Sequence, residues 1–303
     1  MATIKKQAKG NQIYYYLEHS FREGRKVKKK QKYLGKKIPY NIEDIKKQFL
    51  FEIYNKLWLN KIDSIKENFS RERKIMPASA KEKELQSFMI KFTYNTQRIE
   101  GSTLSLRETA NLLEKGITPS EKPIKDVKEA EAHKNVFYNM LGYKKDLSLQ
   151  ICLLWNKLLL KETKPDIAGK IRNHHVAISQ SKFIPPIPSE LDFLLRDFFY
   201  WYKKNKNKLH PVVLAGLVHL RFVTIHPFAD GNGRISRIMM NFILNIYGFP
   251  MLNIDYNNRT GYYNALERSQ IKKQDSIFLQ WFLKRYLKEH ERLLKNHKIT
   301  FRS

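Results

Sequence analysis

The sequence is poor in several features, and each scarcity excludes a class of protein. It holds one cysteine in 303 residues, Cys152, so no intramolecular disulfide can form and a reducing, cytoplasmic setting is expected. It has no run of about 18 uncharged apolar residues, which argues against a membrane-spanning helix. Its N-terminus, Met-Ala-Thr-Ile-Lys-Lys, lacks the apolar segment of a secretory signal. With 42% hydrophobic and 13% aromatic residues the chain can still bury a core, so we expect a globular protein.

Acidic residues are scarce relative to basic ones. The chain has 57 Lys and Arg residues against 29 Asp and Glu, a net charge of +28. The excess is densest in residues 1–37, which hold 12 basic and 2 acidic residues. Such a balance favours polyanionic partners: nucleotides, nucleic acid or an acidic protein.

Residues 1–40 are predicted to form a basic β-hairpin or a three-stranded sheet. Strands over 12–17 and 26–34 flank a turn at Gly24, and a third strand is expected before Gly10. Two interpretations of this region stay open. Its tyrosines and lysines could contact nucleic acid by stacking and charge, or its charges could serve to prevent strand pairing between molecules or belong to a docking module. The residues concerned are Tyr14, Tyr15, Tyr16, Lys28, Lys29, Lys30 and Lys32.

The rest of the chain reads as helices, because apolar residues recur at helical spacing. A linker helix is predicted for 41–78 and a second helix for 79–101, ended by Gly101. Segment 176–188 is β-branched and then rich in proline, so we expect an extended hairpin or flap there. The predicted fold class is therefore mainly α, a helical bundle with an inserted β-hairpin and a small N-terminal sheet, in three parts: 1–40, 41–78 and 79–303. Further helices are predicted at 105–115, 124–141, 147–161, 189–205, 209–225, 234–247, 260–270 and 275–297.

Segment 226–237, His-Pro-Phe-Ala-Asp-Gly-Asn-Gly-Arg-Ile-Ser-Arg, combines residue types suited to nucleotide chemistry. A proline ends one helix, and a glycine-rich turn opens the next, whose free N–H groups form an anion site. Arg234 and Arg237 lie three residues apart and could grip two phosphate groups. Asp230 offers a hard oxygen ligand for Mg²⁺. His226 is the group here whose pKa suits it to take a proton at neutral pH.

This segment resembles the motif of the Fic (filamentation-induced-by-cAMP) domain family: His-Pro-Phe, one residue, Asp or Glu, Gly-Asn-Gly-Arg, two residues, Arg. Every defining position matches, and weaker similarity covers about residues 85–290. The resemblance implies a Fic-type helical fold whose flap aligns a protein target. It further implies transfer of AMP from ATP, with Mg²⁺, to a Ser, Thr or Tyr hydroxyl of that target. Many members form dimers, so a homodimer is one expectation.

The resemblance also assigns roles to individual residues. His226 would be the general base, and Asp230 would hold Mg²⁺. Gly233 stands where a phosphorylating relative has lysine, which favours nucleotidyl transfer. The phosphates would be bound by Gly231, Asn232, Gly233, Arg234 and Arg237.

Two further segments have softer matches to the nucleotide site of the family. The flap tip would cover the nucleotide with Gln180, Ser181, Lys182 and Phe183. Tyr262, Tyr263 and Gln270 resemble the adenine-pocket segment, although many relatives have asparagine at the position of Gln270. Core packing of the two tyrosines is the alternative.

An inhibitory element is predicted at Thr96-Gln-Arg-Ile-Glu100-Gly101, which fits the family's inhibitory signature. Thr96 and Glu100 lie one helical turn apart and share a face. We expect Glu100 to pair with Arg237 and withhold it from the γ-phosphate; a solvated polar pair is the alternative. In some relatives the same glutamate directs water to remove AMP from the target, so this protein could do both.

A different class of function also fits the sequence. The Fic-like core could sense a nucleotide without turnover in a nucleic-acid-binding regulator. Alternatively, the enzyme could use a donor other than ATP. An intact His226 favours the enzyme, because a protein that only binds has no need of a base.

Overall fold

A computed structural model describes residues 2–23, 26–179 and 181–295. By internal contacts the chain divides into two compact units, Met1–Asp63 and Ser64–Ser303. No helix of the described residues is long and apolar enough to cross a membrane.

The first unit opens with a three-stranded antiparallel sheet, which confirms the predicted third strand. The strands are β1 (Thr3–Lys9), β2 (Gln12–Glu23) and β3 (Lys26–Gly35), in the order β1-β2-β3. The sheet packs against α1 (Ile42–Tyr54) because each buries one apolar face on the other. Leu17 of β2 is fully buried in a cluster with Phe49 and Ile53 of α1.

The helix predicted over 41–78 runs from Ile42 to Ile75 and contains one π-helical turn. A π-helical turn over Asn55–Leu59 separates α1 from α2 (Asn60–Ile75), and the boundary between the two units falls within α2. Tyr54 and Asn60, on either side of this turn, keep right-handed helical backbone angles, and the sequence pattern did not indicate the turn.

The second unit is helical, which confirms the predicted class, with each boundary within two residues of its predicted position except at the chain's end. The segment predicted as one helix over 275–297 is divided at His290, where the backbone leaves helical geometry. The helices are α3 (Ala78–Ile99), α4 (Leu106–Lys115), α5 (Ile124–Gly142), α6 (Leu149–Leu160), α7 (Leu191–Asn205), α8 (Pro211–Ile225), α9 (Asn232–Ile246), α10 (Arg259–Ile271), α11 (Asp275–Glu289) and α12 (Glu291–Lys295).

Two buried helices, α8 and α9, form the centre of the second unit. Twelve residues of each are buried, including charged Arg234 and Arg237 on α9. Gly216 lets α8 approach α11 closely, since a Cβ there would lie 2.7 Å from Cδ1 of Phe282. The segment between α8 and α9 contains the predicted active-site loop, so two buried helices hold both of its ends.

The predicted hairpin over 176–188 does not form as a pair of strands. Among the described residues of this segment no strand is present, and only a 3₁₀ turn over Pro188–Glu190 ends it. The prolines at 185, 186 and 188 lack the N–H that a strand ladder needs. The segment is therefore an extended flap held by side chains rather than by its own ladder.

Candidate active site

His226 lies where α8 ends, and both its backbone and its side chain are fixed there. The backbone is left-handed, with φ 52° and ψ 55°, which non-glycine residues seldom adopt. Nδ1 lies 3.1 Å from the carbonyl oxygen of Val223. A neutral ring that donates this bond leaves Nε2 as a proton acceptor. Burial lowers the pKa of His226 and so favours the neutral ring.

Asn232 holds the loop between α8 and α9 in shape. Its Oδ1 accepts from the Phe228 N–H at 2.9 Å, and its Nδ2 donates to the Phe228 carbonyl at 2.8 Å. Phe228 is buried in the core. The side chain of Asn232 is therefore committed to the loop, and what it offers an anion is its backbone N–H at the start of α9. The first N–H groups of a helix have no acceptor within it, so they present donors here.

Asp230 lies in the same loop with cations on both sides. Its Oδ1 accepts from the Gly231 N–H at 2.6 Å and from Nη2 of Arg234 at 3.0 Å. Its Oδ2 is bound by the ammonium group of Lys164. Burial alone would raise the pKa of Asp230, but Arg234 and Lys164 outweigh it and hold the pKa at about 2. The carboxylate is thus ionised at neutral pH.

Arg234 is almost fully buried and is held by a second carboxylate. Its Nη1 donates to Oε2 of Glu129 on α5 and lies 3.4 Å from Oε1 of Gln97 on α3. Gln97 in turn donates to the Glu129 carbonyl at 2.7 Å. Nε of Arg234 has no hydrogen-bond partner among the described residues. A buried guanidinium fixed in this way is already oriented before any ligand arrives.

Arg237 is in direct contact with the predicted inhibitory residues. Its Nη2 lies 2.5 Å from Oε1 of Glu100, and its Nε donates to Oγ1 of Thr96 at 2.5 Å. Its Nη1 lies 3.3 Å from the hydroxyl of Tyr262. Arg237 is 1% exposed, whereas the Glu100 side chain is 30% exposed. Side chains at the end of α3 are therefore bound to the guanidinium that, by the resemblance, would bind the γ-phosphate.

Gly233 leaves room for this contact. A Cβ at position 233 would collide with Oε1 of Glu100 and lie 3.1 Å from Nη1 of Arg237. With the glycine in place, the Glu100 carboxylate lies against the first turn of α9.

The flap is attached to the loop and to α10 by two side chains that the sequence did not single out as site residues. Arg172 donates through Nε to the His226 carbonyl at 2.8 Å and through Nη2 to the Pro186 carbonyl at 2.6 Å. At the tip, Oε2 of Glu267 accepts from the Ser181 hydroxyl at 2.9 Å and from the Lys182 N–H at 2.8 Å. The predicted site residue Gln180 lies outside the described residues, and Phe183 donates its N–H to the Ser181 hydroxyl.

The residues that resemble an adenine-pocket segment are engaged by protein groups. Tyr262 is buried, and its hydroxyl lies 3.0 Å from Nε2 of His219 as well as near Arg237. Tyr263 is 43% exposed, and its hydroxyl donates to the Ile99 carbonyl at 2.8 Å. Gln270 donates to the Thr224 hydroxyl at 3.2 Å. Tyr262 is thus packed in the core, which was the alternative to a place in the adenine pocket. Its hydroxyl lies next to the guanidinium of Arg237.

The active-site loop lies within a segment that is similar to a known protein family. Residues 146–244 match the sequence model of the Fic/DOC family. It is similar to protein adenylyltransferase Fic of Nematostella vectensis, with 32% identity over 181 residues, which are 58% of this chain and 42% of that protein. It is similar to the protein of the same name from Drosophila melanogaster, with 33% identity over 178 residues, 57% of this chain and 36% of the relative. The match thus spans less than half the length of either relative.

Solved structures show the same fold. A Fic domain containing signalling protein from Bacteroides thetaiotaomicron superposes with a TM-score of 0.70 at 24% identity, over 78% of this chain and 97% of that one. Fic-1 from C. elegans gives a TM-score of 0.70 at 23% identity, over 84% of this chain and 78% of that one. At such identities the likeness establishes the Fic fold and nothing finer.

Proposed function

We propose that this protein transfers AMP from ATP to a hydroxyl group of a protein. The observation that carries the proposal is the loop itself: a half-buried His226, whose pKa is lowered, lies next to a helix N-terminus whose first turns hold two buried arginines. The name that the curated relatives share, protein adenylyltransferase, supports it.

The step needs one base and several positive groups. The hydroxyl oxygen of the target attacks the α-phosphorus of ATP, its proton passes to Nε2 of His226, and the bond between the α-phosphorus and the bridging oxygen breaks. Pyrophosphate leaves. The N–H groups at the start of α9 and the guanidinium of Arg234 neutralise the charge on the phosphates. Arg234 is suited to this because its orientation is fixed by Glu129 and its Nε finds no partner within the part of the chain that the structure describes.

Asp230 fits a Mg²⁺ ion bound together with phosphates. Among the described residues, no group of three or more His, Cys, Asp or Glu side chains could hold a metal by itself. Mg²⁺ commonly uses one or two carboxylates and completes its shell with phosphate oxygens and water. Asp230 supplies such a carboxylate, ionised and 27% exposed. When bound, the ion would offset charge on the leaving phosphates.

We further propose that the protein rests in an inhibited state. The carboxylate of Glu100 is bound to the guanidinium of Arg237, and Thr96 holds the same guanidinium from a second side. A γ-phosphate cannot take Arg237 while Glu100 holds it, because the two anions would repel each other at one cation. Activation then requires that the end of α3 moves or that Glu100 loses its charge.

The proposal is tested by incubating the full chain with Mg²⁺ and either α-labelled or γ-labelled ATP. We expect Glu100→Ala to incorporate at least tenfold more label than the wild type, and only from α-labelled ATP. Glu100→Ala combined with His226→Ala should lose incorporation while retaining ATP binding in a thermal-shift assay. Glu82→Ala is the matched control, because Glu82 is an exposed residue on the same helix.

Each of the other functions has its own outcome. Label from γ-labelled ATP would indicate phosphoryl transfer instead. Stronger transfer from GTP or UTP than from ATP would change the donor. ATP binding without incorporation by any variant, under conditions where an added protein extract supplies targets, would support a nucleotide sensor without turnover.

A further inference from the structure

The N-terminal sheet presents two faces of different chemistry. Side chains alternate between the faces of a strand, and Leu17 of β2 points into the core with α1. We call the opposite side the outer face. By strand register Tyr15, Lys28, Lys30 and Lys32 belong to the side of Leu17, whereas Tyr14, Tyr16, Lys29 and Tyr33 belong to the outer face.

Three tyrosines form a cluster on the outer face. Tyr16 and Tyr33 are directly opposite on β2 and β3, with ring centroids 5.3 Å apart, and Tyr14 lies 6.2 Å from Tyr33. Tyr33 is 53% exposed. Lys5 of β1 pairs with Tyr16, so one row across the sheet reads lysine, tyrosine, tyrosine.

The charge around this cluster is positive. Four basic residues and one acidic residue lie on the outer face, a net charge of +3. The acidic residue, Glu18, is already engaged: it accepts from Gln31 at 2.8 Å and lies 3.7 Å from Lys29. The basic residues are Lys5, Lys9, Arg22 and Lys29.

We propose that the outer face of the N-terminal sheet binds single-stranded nucleic acid. Exposed aromatic rings on a sheet are stacking surfaces for unpaired bases, and the flanking cations have the sign of charge that a phosphate backbone attracts. Charge alone would serve an acidic protein or an anionic lipid surface equally well. The tyrosine cluster favours bases, since it offers flat faces between the cations.

The competing explanation is that the tyrosines only stabilise a small sheet by cross-strand packing and that the lysines discourage aggregation. If the rings stack on bases, replacing one by a residue of similar strand propensity weakens binding to nucleic acid. If they only stabilise the sheet, that replacement leaves binding unchanged. They also differ in whether the bases of an oligonucleotide matter.

The first experiment measures binding of the full chain to a fluorescent 20-nucleotide single strand, in DNA and RNA form, by anisotropy. Binding should weaken with salt, with a slope of about −3 for about four phosphate contacts. An abasic strand of the same length and a duplex of the same sequence should both bind at least tenfold more weakly. An abasic strand or a duplex that binds as tightly as the single strand would overturn the proposal, as would no binding at all.

The second experiment separates rings from charges. Tyr33→Val should weaken binding by about 5- to 150-fold, the range for loss of one stacked base, while Tyr33→Phe should stay within twofold. Lys5→Gln with Lys29→Gln should weaken binding and flatten the salt slope by about 1.4.

The matched control, Lys203→Gln with Lys204→Gln, removes equal charge from the exposed end of α7 and should leave binding within about twofold. Equal affinities of Tyr33→Val and Tyr33→Phe, with both folded by circular dichroism, would overturn the proposal.

This proposal is independent of the proposed transfer reaction. His226→Ala should bind the oligonucleotide as the wild type does, because His226 belongs to the other unit. A chain without transferase activity could therefore still bind nucleic acid. A chain that does not bind nucleic acid could still be a transferase.

Discussion

At the scale of single residues, the pKa of His226 is set by opposing influences that one substitution can separate. Burial lowers it, whereas the hydrogen bond to the Val223 carbonyl and the charge of Glu100 raise it. Glu100→Gln keeps the size of the side chain but removes the charge. We therefore expect a His226 pKa below its ordinary value of 6.5 in the wild type and a still lower one in Glu100→Gln, measured by NMR titration of the imidazole.

The direction matters for catalysis. A lower pKa leaves more of the imidazole in its basic form at a given pH, so the acid limb of any transfer reaction should move to lower pH in Glu100→Gln. A His226 pKa above 6.5, or one that does not change on removal of the Glu100 charge, would contradict this account of the site.

The active-site loop could be predicted from the sequence because twelve consecutive residues carry it. Its supporting residues could not. Glu129 is separated from Arg234 by 105 positions, and Lys164 from Asp230 by 66. Neither lies in a recognisable motif, and an isolated glutamate or lysine is ordinarily a solvated surface residue. Only the packing of α5 and α6 around α9 shows that these two charges face the loop.

At the scale of elements, the contact of α8 with α11 depends on the absence of a side chain at Gly216. A Cβ there would lie 2.7 Å from Phe282. Overpacking of a core costs about 1–3 kcal/mol, and the better helix propensity of alanine offsets about 1 kcal/mol of that. We expect Gly216→Ala to lower the free energy of unfolding by up to about 2 kcal/mol, measured by urea denaturation.

Gly142 provides the control for this prediction. It is the last residue of α5, and a Cβ there would meet no atom within 4 Å. Gly142→Ala should therefore leave stability unchanged or raise it by about 0.5 kcal/mol through the unfolded state. If both substitutions changed stability equally, the close approach of α8 and α11 would not be what Gly216 permits.

Element types were predictable wherever a long apolar period existed, as in α8 and α9. Prediction was wrong where local sequence and tertiary contacts disagree. Segment 176–188 has β-branched residues that favour a strand, but its prolines lack the N–H groups needed for the hydrogen bonds between strands. Hydrogen bonds from Arg172 and to Glu267 hold the segment instead. The π-helical turn over Asn55–Leu59 within the predicted helix contains no glycine or proline, so the sequence did not indicate it.

At the scale of the whole molecule, two buried histidines beside the active site link stability to pH. His133 and His219 are both 0% exposed. Burial, together with the charge of Arg237, lowers the pKa of each to about 3. The imidazole of His133 keeps one nitrogen without a partner among the described residues. Both rings therefore stay neutral in the folded protein across the range in which the unfolded chain takes up protons.

The consequence is a loss of stability in mild acid. Below about pH 6.5 the unfolded chain binds a proton on each of these imidazoles and the folded chain does not, so the free energy of unfolding falls as pH falls from 6.5 towards 3. The slope for two such groups is about 3 kcal/mol per pH unit once both are protonated in the unfolded state.

Urea denaturation between pH 7 and 4.5 measures this slope, and His219→Gln should reduce it by about 1.4 kcal/mol per pH unit. Asn241→Ala removes a buried side chain that does not titrate, so it should lower stability at every pH and leave the slope unchanged. A free energy of unfolding that stays level from pH 6.5 to 4.5 would mean that these two rings become charged within the folded core.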